Sequence, residues 1–138
     1  GVTQEEFERL YPEITIDAET AKKIIFMGAL PHKQTIKHLL GCDCCVFFRE
    51  SDRRNNAGFP TKFAEAYTCG IPVITTDVSD IGEYMKNERC GRALDNPQIE
   101  TIRSAMLDEI RKGGRTNKCV NTAFDYRTYQ QQCKEWSE

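Results

Sequence analysis

Gly58-Phe59-Pro60-Thr61-Lys62-Phe63-Ala64-Glu65-Ala66-Tyr67-Thr68-Cys69-Gly70-Ile71-Pro72-Val73-Ile74-Thr75-Thr76 is the stretch that decides the fold. Phe59, Phe63, Ala66 and Tyr67 recur at helical spacing, which gives a helix opening near Pro60 an apolar stripe. Gly70 ends that helix, and the β-branched run Ile71–Thr76 follows as a strand. Just upstream, Cys44-Cys45-Val46-Phe47-Phe48 is a continuous apolar run, the pattern of a strand buried on both faces. Strand, helix and strand in succession form the βαβ rhythm of a parallel sheet.

The same rhythm extends in both directions. Thr3 with Glu6 three residues on predicts a capped helix over Thr3–Leu10, ended by Pro12. Lys23-Ile24-Ile25-Phe26-Met27 reads as a strand closed by Gly28. Pro31 opens a helix with Ile36, Leu39 and Leu40 on one face, stopped by Gly41. Arg49–Ala57 reads as a charged loop, Asp80 with Glu83 as a short helix start, and Cys90-Gly91-Arg92-Ala93-Leu94 as a last strand. From about Pro97 the chain reads as helical to its end, broken near Gly113-Gly114. The expected fold class is α/β, a Rossmann-like parallel sheet flanked by helices in a single domain over residues 1–138.

Bulk properties exclude several functions. At 138 residues and a formal charge of −2, nothing favours nucleic acid or an acidic membrane as partner. The apolar run Cys44–Phe48 is far short of the roughly 20 residues a spanning helix needs. The opening Gly1–Glu6 lacks the pattern of a secretory leader, so a cytoplasmic setting is expected. Seven cysteines are an odd number, and Cys44, Cys45 and Cys69 stand where small buried hydrophobes fit. The cluster Cys42-Asp43-Cys44-Cys45 is a weak metal motif: a strand sends Cys44 and Cys45 to opposite faces, and His32 and His38 are not spaced to complete a site. No metal is expected.

Ligands of open parallel sheets bind beyond the carboxyl ends of the strands, which directs attention to 28–32, 49–62 and 75–80. The helix opening near Pro60 presents unpaired N–H groups and a positive dipole end, with Thr61 and Lys62 in its first turn. Gly58 allows close backbone approach, and Arg49, Arg53 and Arg54 lie on the loop feeding the same place. These features describe a diphosphate pocket. Glu65 follows Lys62 at i+3 and is suited to accept hydrogen bonds from a ribose diol. The plainer alternative makes Lys62 and Glu65 an exposed helical ion pair, and the arginines a solvated loop partnered by Glu50 and Asp52. His32, Thr76 and Ser79 are further cleft-lining positions. His38, between Ile36 and Leu39, reads as structural.

The run Gly58–Thr76 resembles the donor-binding domain of family-4 retaining glycosyltransferases, which have the two-Rossmann-domain architecture known as GT-B. Phe26-Met27-Gly28, Asp43 ahead of its strand and Cys90-Gly91 extend the resemblance over 24–94. It implies a nucleotide-diphosphate sugar as donor substrate, no separate cofactor, transfer with retention to an acceptor, and a hexosyltransferase type of activity in glycan biosynthesis. Glu65 matches the second glutamate of the family's E-x7-E motif, which holds the ribose hydroxyls. Ala57 occupies the place of the first glutamate, so the phosphate charges fall to Lys62 and the arginines, with Gly58, Phe59, Pro60 and Thr61 completing the donor site. The resemblance also implies an acceptor-binding N-terminal domain, and opening strands of the donor domain, that this chain does not contain. This chain alone is then expected to be inactive, and the larger protein to be cytoplasmic or peripheral to a membrane. A nucleotide-sugar epimerase of the same architecture and a non-catalytic nucleotide-binding or assembly module stay open as alternatives.

Overall fold

The computed structural model describes residues 1–86, 90–113 and 122–129, the side chains of Tyr126 and Thr128 excepted. Contacts group the chain into two compact units, Gly1–Lys37 and His38–Glu138.

The first unit contains α1 (Gln4–Leu10), α2 (Ala18–Ala21) and the start of α3 (His32–Leu39). Thr3 caps α1 as expected: its Oγ1 accepts from Glu6 N–H at 3.2 Å, while Thr3 N–H donates to the Glu6 carboxylate at 2.8 Å. α2 was not expected. Asp17 creates it by accepting from the N–H groups of Glu19 and Thr20, both at 2.9 Å. The predicted strand Lys23–Met27 is not one. No described strand pairs with it, and Ile25 is 82% exposed. An extended apolar segment becomes a strand only when a neighbour completes its ladder.

The second unit holds β1 (Cys45–Val46), α4 (Arg53–Asn56), α5 (Thr61–Thr68), β2 (Val73–Thr76), α6 (Ile81–Tyr84), β3 (Gly91–Leu94) and α7 (Ile99–Arg111). The three strands are parallel in the order β1-β2-β3. Cys45 stands opposite Val73, and Thr76 opposite Leu94. β1 is shorter than its apolar run, although Phe47 N–H still reaches Ile74 O at 3.1 Å. Each connection between these parallel strands contains helix, as a parallel crossover requires. The Rossmann-like α/β reading therefore holds for this unit.

Adjacent residues of β2 feed two cores, because strand side chains alternate between faces. Val73 joins Phe63, Ala66, Tyr67, Ile71, Val78 and Ile81 on the α5 face. Ile74 joins Leu94 and Ala105, the last from α7. Phe59, Phe63, Tyr67, Tyr84 and Phe124 form one aromatic cluster, with ring centroids 5.0–6.4 Å apart. Gly91 starts β3 at φ 108°, and a Cβ there would lie 1.9 Å from Val73 O. Only glycine lets β3 come this close to β2.

α7 and the turn at Gly113 agree with the helical reading from Pro97. Tyr126–Tyr129 form a short 3-10 turn, and Tyr129 Oη donates to Ala123 O at 3.0 Å. The break at Gly114, the remaining helical tail with Trp136, Cys119 and Cys133 lie outside the described residues.

Candidate functional site

The carboxyl ends of β1, β2 and β3 open onto a cavity of about 570 Å³, within the roughly 300–1,000 Å³ of typical ligand sites. Arg49 and Thr76, two predicted site residues, line it together. The Thr76 hydroxyl donates to Arg49 O at 2.7 Å and lies 3.0 Å from Arg49 N–H, fastening the chain after β1 to the end of β2. Glu50, Ser51, Asp77 and Asp95 also line the cavity, and sequence reading singled out none of them as site residues. Only the tertiary alignment of three strand ends brings them together.

The remaining predicted residues gather around the start of α5, outside that lining. Pro60 is the N-cap and contributes no side-chain cap. The Thr61 and Lys62 side chains are exposed, and their backbone N–H groups find no acceptor among the described residues. A Cβ built at Gly58 would meet no atom within 4 Å, and its φ is not in the left-handed range. Packing therefore does not require glycine there. Phe59 and Pro60 have a different duty from the one expected of a ligand contact. Phe59 packs its ring on Phe63, Tyr84 and Phe124, and the Pro60 ring is fully buried.

Lys62 and Glu65, three residues apart on α5, both act electrostatically on Cys45 of β1. Burial pushes the Cys45 thiol up to about 11; Cys42 and Cys44 add to the rise, Lys62 opposes it and Glu65 reinforces it. Cys44 is likewise raised, first by burial. These shifts keep the thiols protonated and agree with a structural role for Cys44 and Cys45. The described cysteines, Cys42, Cys44, Cys45, Cys69 and Cys90, form no disulfide. Among the described residues no His, Cys, Asp and Glu group converges to hold a metal ion, and no helix is long and apolar enough to cross a membrane.

The segment expected as a charged loop contains a short helix. Asp52 caps α4 by accepting from Asn55 N–H at 2.7 Å, so it is a helix cap and not the arginines' ion-pair partner. Arg53 and Arg54 stand exposed on α4, and Ala57 is its C-cap. From the same helix, Asn56 Oδ1 accepts from Ser79 N–H at 3.0 Å. Ser79 is held at φ 56°, the left-handed region a serine normally avoids. Asp80, expected to start α6, gives it no side-chain cap; Asp77 does so instead, accepting from Gly82 N–H at 3.0 Å. His32 begins α3 in the first unit, and the His38 carbonyl accepts the Cys42 thiol hydrogen at 3.3 Å.

A parallel sheet with helices on both faces, a cavity at its strand ends and a start of α5 without a side-chain cap define a domain of the Rossmann-like class. Residues 3–125 match the sequence model of the glycosyl transferases group 1, and the chain belongs to that family. No curated protein and no solved structure matches it.

Proposed function

We propose that this chain binds the nucleotide-diphosphate sugar of a retaining, hexose-transferring GT-B glycosyltransferase, through the start of α5. The observation that carries the reading is the juxtaposition at this helix start. Two unpaired N–H groups and the Lys62 ammonium stand about one helical turn before Glu65, with the open Gly58 just ahead of the N-cap Pro60. A diphosphate matches the dipole end and the cation. Glu65 then accepts from the ribose diol, with the carboxylate a turn away from the phosphates it would repel. Arg53 and Arg54 extend the positive charge along α4. During transfer, leaving-group charge on the diphosphate is stabilised by Lys62 and the helix N–H groups. This role needs no separate cofactor. Acceptor binding and turnover belong to the larger GT-B enzyme, placed in the cytoplasm or at a membrane periphery.

Ala57 favours a second reading, a nucleotide-binding module without transfer, because the position offers a methyl where the family motif has a carboxylate. Calorimetric titration of the chain with UDP, GDP, ADP and CMP tests the donor site. One diphosphate binds preferentially, and Lys62→Ala, Glu65→Ala and Gly58→Val each weaken it by roughly ten-fold, about 1.4 kcal/mol, without changing stability. Indifference of binding to all three substitutions would sink the proposed site. Sugar transfer by the full-length protein separates the transferase from the binding module, and interconversion of the sugar without acceptor identifies an epimerase.

A further inference from the structure

We infer that Asn56 is a positioning residue of the donor site: its carboxamide fastens α4, with Arg53 and Arg54, to the left-handed turn at Ser79, and so sets how Gly58 approaches α5. The inference rests on the nucleotide-diphosphate reading above and adds to it the part that holds the phosphate side of the site in place.

The segment after β1 is tied at both of its ends to the end of β2 and the turn beyond it. At the first end, the Thr76 hydroxyl holds Arg49. At the other, Asn56 Oδ1 accepts from Ser79 N–H at 3.0 Å, between residues 23 positions apart, while Asn56 Nδ2 donates to Ser51 Oγ at 3.3 Å. Between these ties, Asn55 Nδ2 donates to Glu50 O at 3.0 Å and Asp52 caps α4, so residues 49–56 close upon themselves. Beyond Asn56 the chain has only Ala57-Gly58 before Phe59 enters the aromatic cluster and the Pro60 ring is buried. Ala57 and Gly58 are exposed, and a Cβ at Gly58 would meet no atom within 4 Å. Packing does not guide this span; its course follows from the anchors at Asn56 and Phe59.

Ser79 shows that the clasp is held against a conformational cost. A serine at φ 56° is strained, and such a residue persists where its surroundings over-determine it. The Asn56 carboxamide is exposed, so the contact adds little to either apolar core. Strain kept for an exposed hydrogen bond serves the geometry of the segment that the bond carries. That segment bears Arg53, Arg54 and Gly58, which face the phosphates in the donor reading. Glu65, the ribose partner, is fixed separately, because α5 is anchored in the core by Phe63, Ala66 and Tyr67. Loss of the clasp therefore acts on the phosphates and spares the ribose.

The test is calorimetric and amide-NMR titration of the chain with UDP, GDP and ADP, and with uridine, guanosine and adenosine. Asn56→Ala should weaken the preferred diphosphate about five-fold and leave its nucleoside unchanged, with the fold intact. Ser79→Gly adopts the left-handed backbone without strain, so adding it to the Asn56→Ala chain should restore most of the lost affinity. A merely structural contact would neither separate diphosphate from nucleoside nor be rescued at a distant glycine. The inference is overturned if Asn56→Ala leaves diphosphate affinity unchanged, if the nucleoside weakens equally, or if Ser79→Gly restores nothing. Should the unsubstituted chain bind no diphosphate, the donor reading falls, and the clasp is decided by the amides alone. Asn56→Ala should then deprotect Ser79 N–H in hydrogen exchange and shift the amides of Gly58, Thr61 and Lys62; unmoved amides would overturn it.

Discussion

Ile24-Ile25-Phe26-Met27 and Ile71-Pro72-Val73-Ile74 look alike as sequence, yet they end in opposite physical states. In the second, Ile71, Val73 and Ile74 are at most 1% exposed, and Val73 and Ile74 are hydrogen-bonded between two parallel neighbours. In the first, Ile25 is 82% exposed and no described ladder forms. The contrast extends to the units that contain them: no residue of Gly1–Lys37 is buried, whereas the second unit has an apolar core on each face of its sheet. β-Branched composition therefore gives a segment the capacity to be a strand, and neighbours on both sides convert that capacity into stability.

The strongest way to break the contrast is Gly91→Ala. The new Cβ meets Val73 O and N at 1.9 and 2.4 Å, and the backbone sits at φ 108°. Loss of at least about 3 kcal/mol is expected in urea denaturation, enough to abolish the folded second unit or leave it marginal. Next in size is a matched pair. Ile74→Ala should cost about 2–5 kcal/mol, and Ile25→Ala should stay within about 0.5 kcal/mol. Equal effects would mean that Ile24–Met27 is buried in solution after all.

Thr75→Val acts in the other direction. The Thr75 hydroxyl is fully buried and has no hydrogen-bond partner among the described residues. Replacing it by an isosteric methyl should raise the thermal midpoint, with a gain of about 1 kcal/mol. The gentlest probe is pH. Cys45 rises from an ordinary 9.0 to about 11, so its protonated form is favoured by the fold. Its contribution is complete below pH 9 and is lost as pH climbs through about 11. Alkylation followed by mass spectrometry should therefore label exposed Cys42 at pH 8 and leave Cys45 largely unmodified until well above pH 9.

The elements legible in the sequence are those whose causes are local. Thr3 and Glu6 announce α1 because both partners of the capping box lie within one turn. Phe63, Ala66 and Tyr67 announce α5 because one side of the helix carries them all. The Gly58–Thr76 resemblance leads to a glycosyltransferase, as the match to the glycosyl transferases group 1 does, while its family-4 and GT-B particulars go further than that match. Asp17 and Asp52 are also local causes, and Asp-x-x-Thr at 17–20 was a readable cap signal that periodicity arguments passed over. The failure at Lys23–Met27 has a different origin, since pairing partners are not written in a strand's own residues. Similarly, Asp77 and Asp80 compete for the same helix start, and only the turn geometry selects Asp77. Glu50 and Asp95 are 45 positions apart, so their meeting at one cavity depends on the whole sheet. The donor expectation for the positions around α5 comes from local charge and helix-start chemistry, whereas the packing duty of Phe59 depends on Phe124, beyond any local window.

The order β1-β2-β3 also sets a timetable. Each strand docks beside the one synthesised just before it, so the sheet grows outward in the direction of translation. Each addition closes only a single helix-containing loop, which keeps the entropy of closure small. Ile74 can recruit its neighbour as soon as β3 emerges, and Gly91 is the residue that lets the final strand settle. A newborn chain therefore assembles the wall beneath the cavity before α7 is available to cover its other face.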